Sequence, residues 1–556
     1  MTSQHWDETI DVLVVGSGGA GLISALASKK FGLNVMIVEK SPYYGGSTAL
    51  SGGGVWIPNN YLMKQAGVED SFEQAMIYLN AITEEKVSKE RKKNFLINGP
   101  EMLNWLKNDT DVLFEYMNGY SDYYPEKPGG SAKGRGIEAK PFNGAKLGKD
   151  YRFLRPSLFK IPAGLAFTSM EYQKIGMITS TWDAKFTAFK IGLRTMFNLL
   201  FRRKYLTLGR ALIARLRYSL KKQNVPFWLN SSLEDIMLEN NQIVGVKIKK
   251  DNEDIFIAVS KGIILATGGF EHNLELRKTF QPSPISTEWT VGCDSNTGDA
   301  LKIGMNLGAK VDLLDDAWWG PVSLPPDESP FFHVGERGYP GGIMVNKQGK
   351  RFTNESASYV DVVHAMYKLN KDTNPHIPAY FIFDNRYRKK YTFGTLFPRM
   401  KIPKTYLETG YIIKADTIEE LAKSIDIPEK NLIETISKFN SYAIVGIDED
   451  FQRGKSKYDN YYGDPKVKPN PNLAPLKNPP FYAVKFWPGD LGTKGGLLTN
   501  EYGQVIDEKE KVIPKLYAIG NVSSSIMANS YAGPGATIGP AMVFGYIAAK
   551  KIADQE

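Results

Sequence analysis

Three short apolar runs, far apart in the chain, each end in small residues. The first, Thr9 to Val15, has the near-continuous hydrophobicity of a strand buried on both faces of a parallel sheet. Gly16-Ser17-Gly18-Gly19-Ala20-Gly21 follows at once, and Leu22 to Phe31 then has helical spacing. A second strand, Asn34 to Val38, ends on Glu39. The chain returns to the same pattern at Gly262 to Phe270 and again at Leu516 to Asn521, near its end. Thr297 to Ala309 reads as a helix, and Pro-rich Val467 to Pro480 as a linker.

The glycines of the first turn have separate physical tasks. One permits a tight turn, one lets backbone approach a pyrophosphate, and one lets helix pack closely on strand. The helix N-terminus offers free N–H groups to phosphate, and Glu39 stands where a carboxylate accepts from an adenosine ribose. Gly45 to Gly54 (GGSTALSGGG) adds small residues and hydroxyls, so backbone can approach a second, larger ring system. That favours FAD over NAD.

A length of 556 residues suggests two domains, or one domain carrying an insertion. One cysteine, Cys293, excludes an intrachain disulfide framework and paired-cysteine metal sites, and the five histidines show no HExxH spacing. No metal is expected, so redox chemistry falls to an organic cofactor. The start, Met1 to Glu8, is polar and acidic, and no apolar run approaches the ~20 residues of a membrane span. A cytoplasmic protein is expected. The net charge of +9 is concentrated in one place: Lys185 to Lys222 holds eleven Lys/Arg and no acid, interleaved with Phe186, Phe189, Leu193, Met196, Phe197 and Leu200. Such a basic amphipathic stretch, about 183–222, suits peripheral attachment to anionic lipid or a surface helical pair. Nothing else supports nucleic-acid binding.

The chain resembles the succinate dehydrogenase/fumarate reductase flavoprotein superfamily and, within it, the 3-ketosteroid Δ1-dehydrogenases. The resemblance is carried by Ser51 to Pro58 (SGGGVWIP), Asp122 to Glu126 (DYYPE), Ala317 to Pro321 (AWWGP) and Gly349 to Ser356 (GKRFTNES). Pro488 to Gly496 (PGDLGTKGG) and Tyr531 to Pro540 (YAGPGATIGP) are the most specific. It implies an α/β fold: a Rossmann-type FAD-binding domain, 1–310 and 487–556, interrupted by an α+β catalytic domain, 311–486, that caps the flavin. The FAD-contacting set it implies is Gly16, Gly18, Gly19, Ala20, Gly21, Glu39, Lys40, Gly46, Ser47, Thr48, Ser51, Gly52, Gly53, Gly54, Ala266, Thr267, Gly268, Asp299, Gly520, Asn521, Gly535, Ala536 and Ile538. Covalent flavin attachment in the superfamily uses a histidine near the Gly/Ser stretch; none lies between residues 41 and 60, so FAD is expected to be noncovalent.

Placing a double bond beside a 3-keto group removes a proton from C2 and a hydride from C1. The site then needs a donor at O3, a base at C2 and a hydride acceptor, which flavin N5 provides. By resemblance Tyr531 and the Gly535 N–H polarise O3, as an oxyanion-hole-type pair. Tyr359 is the base and Tyr123 its supporting neighbour, with Tyr124 the competing neighbour and Tyr339 a rival base. Tyr120 and the Trp318-Trp319 pair would wall a flat steroid. Family members often carry proline after the acid tyrosine, where this chain has Ala532. An external acceptor, a quinone or similar, would reoxidise the flavin. The alternatives are a 3-ketosteroid Δ4-(5α)-dehydrogenase and a fumarate-reductase-like enzyme using arginines such as Arg351, Arg386 or Arg399. A flavin-binding interaction protein is the non-enzymatic alternative.

Overall fold

A computed structural model of the chain describes residues 5–157, 165–326 and 328–555. The polar start read at Met1 to Gln4 lies outside these residues. The three apolar returns become neighbours in one sheet. The strand Val512–Ala518 pairs in parallel with Glu253–Leu265, which pairs in parallel with Glu8–Val15, then Val35–Val38 and Phe227–Trp228. Registers such as Val12 with Gly262 and Ile263 with Leu516 bring the glycine turns to the same edge. Antiparallel additions are the edge strand Gln504–Ile506 and the hairpin Ser231–Glu239/Gln242–Lys250.

Both faces of this sheet are covered, which is why its strands read as unbroken apolar runs. Val12, Val14 and Ile264 pack toward the helices Gly19–Lys30, Leu208–Lys222 and Ile538–Ala553. Leu13, Val15, Ile263 and Leu265 pack on the other face with Leu301 of the helix Asp299–Asn306. The first helix starts at Gly19, three residues before the hydrophobic spacing does, because the glycines of the turn form its first turn.

A second, antiparallel sheet is organised around the thirteen-residue strand Phe481–Thr493, with Ala317–Ser323 on one side and Ala379–Asp384 then Gly342–Val345 on the other. Its aromatic face buries Phe381, Phe383, Phe393 and Phe486. The Thr493 hydroxyl accepts from the Phe270 N–H at 3.0 Å, joining this strand to the turn after the second apolar return. A small antiparallel sheet pairs Gly54–Trp56 and Phe114–Tyr116 on either side of Gly136–Ala139. The chain is thus an α/β fold with a Rossmann-type parallel sheet.

The basic stretch is not one amphipathic unit. Leu208–Lys222 is buried, with Ala211, Leu212, Ile213, Ala214 and Leu216 inaccessible, and Arg215 donates to the carbonyls of Lys140, Asp111 and Pro141. Trp182–Leu200 buries only Ala184, Thr187, Ile191 and Thr195. The sequence pattern joins them because both alternate cations with apolar residues; only packing separates them. No helix among the described residues is long and apolar enough to cross a membrane.

Candidate active site

One cavity of about 1610 Å³ runs from the glycine turns of the parallel sheet to a cluster of tyrosines under the second sheet. Its first wall is mostly backbone. Gly16 has φ +102°, and a Cβ there would stand 2.4 Å from the Ala266 carbonyl oxygen, so no side chain fits between the two parallel strands. Gly18 caps the helix Gly19–Lys30 without any side-chain bond, and the Gly19 N–H donates to Thr48 Oγ1 at 3.1 Å. Glu39 accepts from the Ser17 N–H (3.0 Å) and hydroxyl (2.6 Å) on one oxygen and from the Ser41 N–H (2.9 Å) on the other. These bonds fix its carboxylate at the cavity edge with lone pairs to spare. Lys40 bridges to Thr297 Oγ1 and Asp299 Oδ2, both at 2.6 Å.

Of the sequence-derived cofactor set, Gly16, Gly18, Gly19, Ala20, Glu39, Lys40, Gly46, Ser47, Thr48, Ser51, Gly52, Gly53, Gly54, Ala266, Thr267, Gly268, Asp299, Gly520, Asn521, Gly535 and Ile538 line this cavity. Gly21 does not; it lies against the Gly16 carbonyl, where a Cβ would approach to 2.0 Å, so its task is close packing. Ala536 is fully buried behind the wall. An elongated cavity with a backbone floor, a helix N-terminus led by glycines and a terminal carboxylate fits a dinucleotide as large as FAD.

The second wall is phenolic. Tyr123, Tyr359 and Tyr531 come together from three distant segments: the Tyr123 and Tyr359 hydroxyls are 3.2 Å apart. The Tyr531 ring stacks on Tyr123 at 5.1 Å and meets Tyr359 edge-on at 5.3 Å. The network continues outward, with the Tyr120 hydroxyl 3.5 Å from that of Tyr123 and 2.8 Å from that of Tyr462. Backbone bonds hold the loops in place. The Ala532 carbonyl accepts from the Tyr123 N–H at 3.0 Å and the Tyr78 hydroxyl at 2.6 Å, so the alanine found where relatives often have proline still pins the turn. Asp122, beside Tyr123, is held by Arg135 and by the Trp56 indole.

Burial pushes the phenols of Tyr123 and Tyr359 well above the ordinary tyrosine range, and raises Tyr531 as well. Two local features distinguish the last two. The Thr537 hydroxyl donates to the Tyr531 oxygen at 3.0 Å, which leaves the Tyr531 proton free to be given elsewhere. Tyr359 is the first residue of the eleven-residue helix Tyr359–Leu369, whose positive dipole end favours a phenolate there. Gly535 has φ +90°, a Cβ would meet Gly54 and Val55 backbone at 2.3 Å, and its N–H has no protein acceptor among the described residues.

Several other expectations resolve differently. Tyr124 turns away and donates to Asp361 at 3.0 Å. Tyr339 stacks on Tyr391 in the core of the second sheet and does not line the cavity. Tyr120 lines it, but Trp318 stands behind Tyr531, edge-on at 4.9 Å, and Trp319 packs into the second core. None of Arg351, Arg386 and Arg399 reaches the cavity; Arg351 is consumed by Glu355 and Asp448. Thr537, Phe332 and Tyr462 line the cavity without having stood out in the sequence. Thr537 lies inside a recognised motif but carries no role there, while Phe332 and Tyr462 have no local signal at all.

A backbone wall that fits a dinucleotide, beside a wall of buried phenols, is the cavity of an FAD-dependent oxidoreductase, and residues 11–538 match the FAD binding domain family. The chain is 46% identical over 99% of both chains to a 3-oxosteroid 1-dehydrogenase of Mycobacterium tuberculosis, and 45% identical, covering 100% of this chain and 98% of the relative, to one of Mycolicibacterium smegmatis. A crystal structure of 3-ketosteroid Δ1-dehydrogenase from Sterolibacterium denitrificans, in complex with 1,4-androstadiene-3,17-dione, superposes with a TM-score of 0.93. It is 36% identical and covers 99% of this chain and 100% of that one. The chain belongs to the 3-oxosteroid 1-dehydrogenase family.

Proposed function

We propose that this enzyme introduces the Δ1 double bond into 3-ketosteroids, using noncovalent FAD. The observation that carries this reading is the buried trio Tyr123, Tyr359 and Tyr531 in the same cavity as the dinucleotide wall. The glycine turns, Glu39, the Gly45–Gly54 stretch and the Gly520 turn would hold FAD, which would supply the two-electron acceptor for the C1 hydride. Tyr531, its oxygen already receiving the Thr537 proton, donates to the steroid O3 together with the Gly535 N–H. That pair stabilises the enolate that develops as C2 loses its proton. Tyr359 removes the C2 proton, and Tyr123 hydrogen-bonds its hydroxyl. The FAD-binding part comprises 1–310 and 487–556 and the capping part 311–486. Electrons leave to an external quinone-like acceptor.

The helix Trp182–Leu200 lines the cavity with Ala188, Ile191, Gly192 and Thr195 and presents Trp182 (81% exposed), Phe186, Phe189, Met196 and Leu200 outward. Lys185, Lys190, Arg202 and Arg203 flank that apolar face. It would rest on an anionic membrane surface, where a water-insoluble substrate partitions. Vesicles containing an anionic lipid should retain the enzyme at low salt, and Phe186→Ser with Phe189→Ser should release it; equal retention of both forms would remove the membrane role.

The activity is tested on purified holoenzyme with an artificial acceptor and 4-androstenedione, a 5α-saturated 3-ketosteroid and succinate, identifying each product. A 1,4-diene from 4-androstenedione is expected. A Δ4 product without Δ1 product would overturn the regiochemistry, and flavin bleaching by succinate alone would overturn the steroid reading.

A further inference from the structure

Four arginines are among the largest fully buried side chains: Arg135, Arg277, Arg337 and Arg453. Three of them are ion-paired, Arg135 with Asp70 and Asp122, Arg277 with Asp490, and Arg453 with Glu355. Arg337 is not. Its Nε donates to the His333 carbonyl (2.9 Å), Nη1 to those of Glu355 (2.6 Å) and Ala357 (3.3 Å), and Nη2 to that of Ala357 (3.3 Å). No carboxylate among the described residues accepts from it. A buried cation is normally paired because leaving it uncompensated is costly. Arg91, Arg215 and Arg388 are likewise buried on carbonyl or hydroxyl acceptors alone, so what sets Arg337 apart is its place, against the segment that begins the Tyr359 helix.

The field falls on the tyrosine wall. Two of the carbonyls that Arg337 grips, those of Glu355 and Ala357, belong to the turn that leads through Ser358 into the helix Tyr359–Leu369. The short turn Glu336–Gly338 that carries it lies against Tyr462, where a Cβ on Gly335 would meet the ring at 2.7 Å. The guanidinium acts electrostatically on Tyr359, Tyr458, Tyr462 and Tyr120. Its other charged neighbour is Glu336, a fully buried carboxyl whose Oε2 has no partner and whose Oε1 accepts from Tyr172 at 3.4 Å. Tyr339, Tyr387 and Tyr411 also face Glu336, and all are protonated near neutrality. Arg453 donates to the Arg337 carbonyl, but its charge is held by Glu355.

We propose that Arg337 is a positioning residue for proton abstraction: it fixes the backbone before Tyr359 and sets near that phenol a positive charge to which no carboxylate is hydrogen-bonded, with Glu336 as the group that attenuates the charge. This rests on the assignment of Tyr359 as base. Negative charge on Tyr359 is opposed by burial and by the surrounding phenols, while the Tyr123 hydroxyl favours it, as do the helix dipole and the Arg337 guanidinium. Burial raises Glu336 to about 7, so this carboxyl ionises, and weakens the field, as pH passes neutrality.

The test compares holoenzymes carrying Arg337→Gln, Arg337→Lys, Glu336→Gln and Tyr359→Phe, each with FAD content measured. Arg337→Gln should lower kcat with 4-androstenedione roughly tenfold, the effect of about one pKa unit on the base, with KM unchanged within about twofold. It should also enlarge the isotope effect seen with C2-deuterated substrate. Arg337→Lys keeps the charge and should recover most of that loss. Equal impairment in the Lys and Gln variants, or an unchanged isotope effect, overturns the proposal, since a purely structural clamp predicts both. Glu336→Gln should raise kcat above pH 7; a fall or no change there overturns it even if neither Arg337 variant retains FAD. Tyr359→Phe with full turnover would instead remove the base assignment itself.

Discussion

The nucleotide wall and the phenolic wall of one cavity are built on opposite principles. The first is backbone: Gly16, Gly18, Gly52, Gly53 and Gly54 bring peptide groups to the surface, and the few side chains, Glu39 and Lys40, are already held by neighbours. The second is almost entirely side chain, with four tyrosine hydroxyls linked through Tyr359, Tyr123, Tyr120 and Tyr462 and every ring buried. Binding a large, constant ligand needs room and N–H groups, which glycine supplies without any tuned protonation state. Moving a proton needs groups whose ionisation differs despite one shared environment. The second wall meets this with unlike neighbours, a hydroxyl donor for Tyr531 and a helix N-terminus for Tyr359.

The contrast is broken most strongly by deleting single hydroxyls. Tyr531→Phe and Tyr359→Phe should each lower kcat by about 10²–10³, the cost of one oxyanion-type donor or of a base, while flavin absorbance per protein stays unchanged. Loss of FAD in either would show that the walls are not separable. Next in size is pH. Because burial holds Tyr359 well above the ordinary range, its ionised fraction grows with pH, and kcat/KM should rise steeply from about pH 6 to 9, by up to about tenfold per unit. FAD affinity should stay flat over the same interval; a kcat/KM plateau below about pH 8 would argue against a phenolate base.

On the other wall, Gly16→Val places side-chain atoms inside the Ala266 carbonyl contact and should weaken FAD binding by at least about tenfold, ~1.4 kcal/mol, as read by flavin release on dilution. Thr537→Val removes the donor to Tyr531 and should cost only a few-fold in kcat, about 1 kcal/mol or less.

The smallest effect lies behind both walls. Burial raises Glu271, beneath the nucleotide wall, and Glu336, beneath the phenolic wall, to about 7. Their folded-state pKa lies above the unfolded value, so the stability they contribute is present below pH ~4.5 and is lost as pH rises through about 7. Tm should fall between about pH 5 and 7.5, and Glu271→Gln and Glu336→Gln should each flatten part of that slope.

Much of the nucleotide wall is legible in the amino-acid sequence alone. Its residues are contiguous, Gly16 to Gly21 and Gly46 to Gly54, and strand, turn and helix each carry a local signature. Glu39 is placed by spacing. The exceptions, Gly21 and Ala536, sit next to lining residues and differ only in which way they face. The phenolic wall is legible only through resemblance. Nothing local distinguishes Tyr123 from Tyr124 or Tyr359 from Tyr339; packing decides, placing Tyr123 and Tyr359 in the cavity while the Tyr124 hydroxyl turns to Asp361 and the Tyr339 ring stacks on Tyr391.

The basic stretch teaches the same lesson. Its composition is plain, but burial of Leu208–Lys222 and exposure of Trp182–Leu200 depend on which helix finds a partner, a matter of long-range contact. The sequence by itself determined the parallel sheet, the glycine turns and the cofactor they hold, because strand periodicity and positive-φ glycine act within a few residues. Tertiary structure decided which phenols meet, which arginine sits behind the Tyr359 helix and how each hydroxyl is biased. Those properties depend on burial and on electrostatics between segments hundreds of residues apart, and no local pattern encodes them.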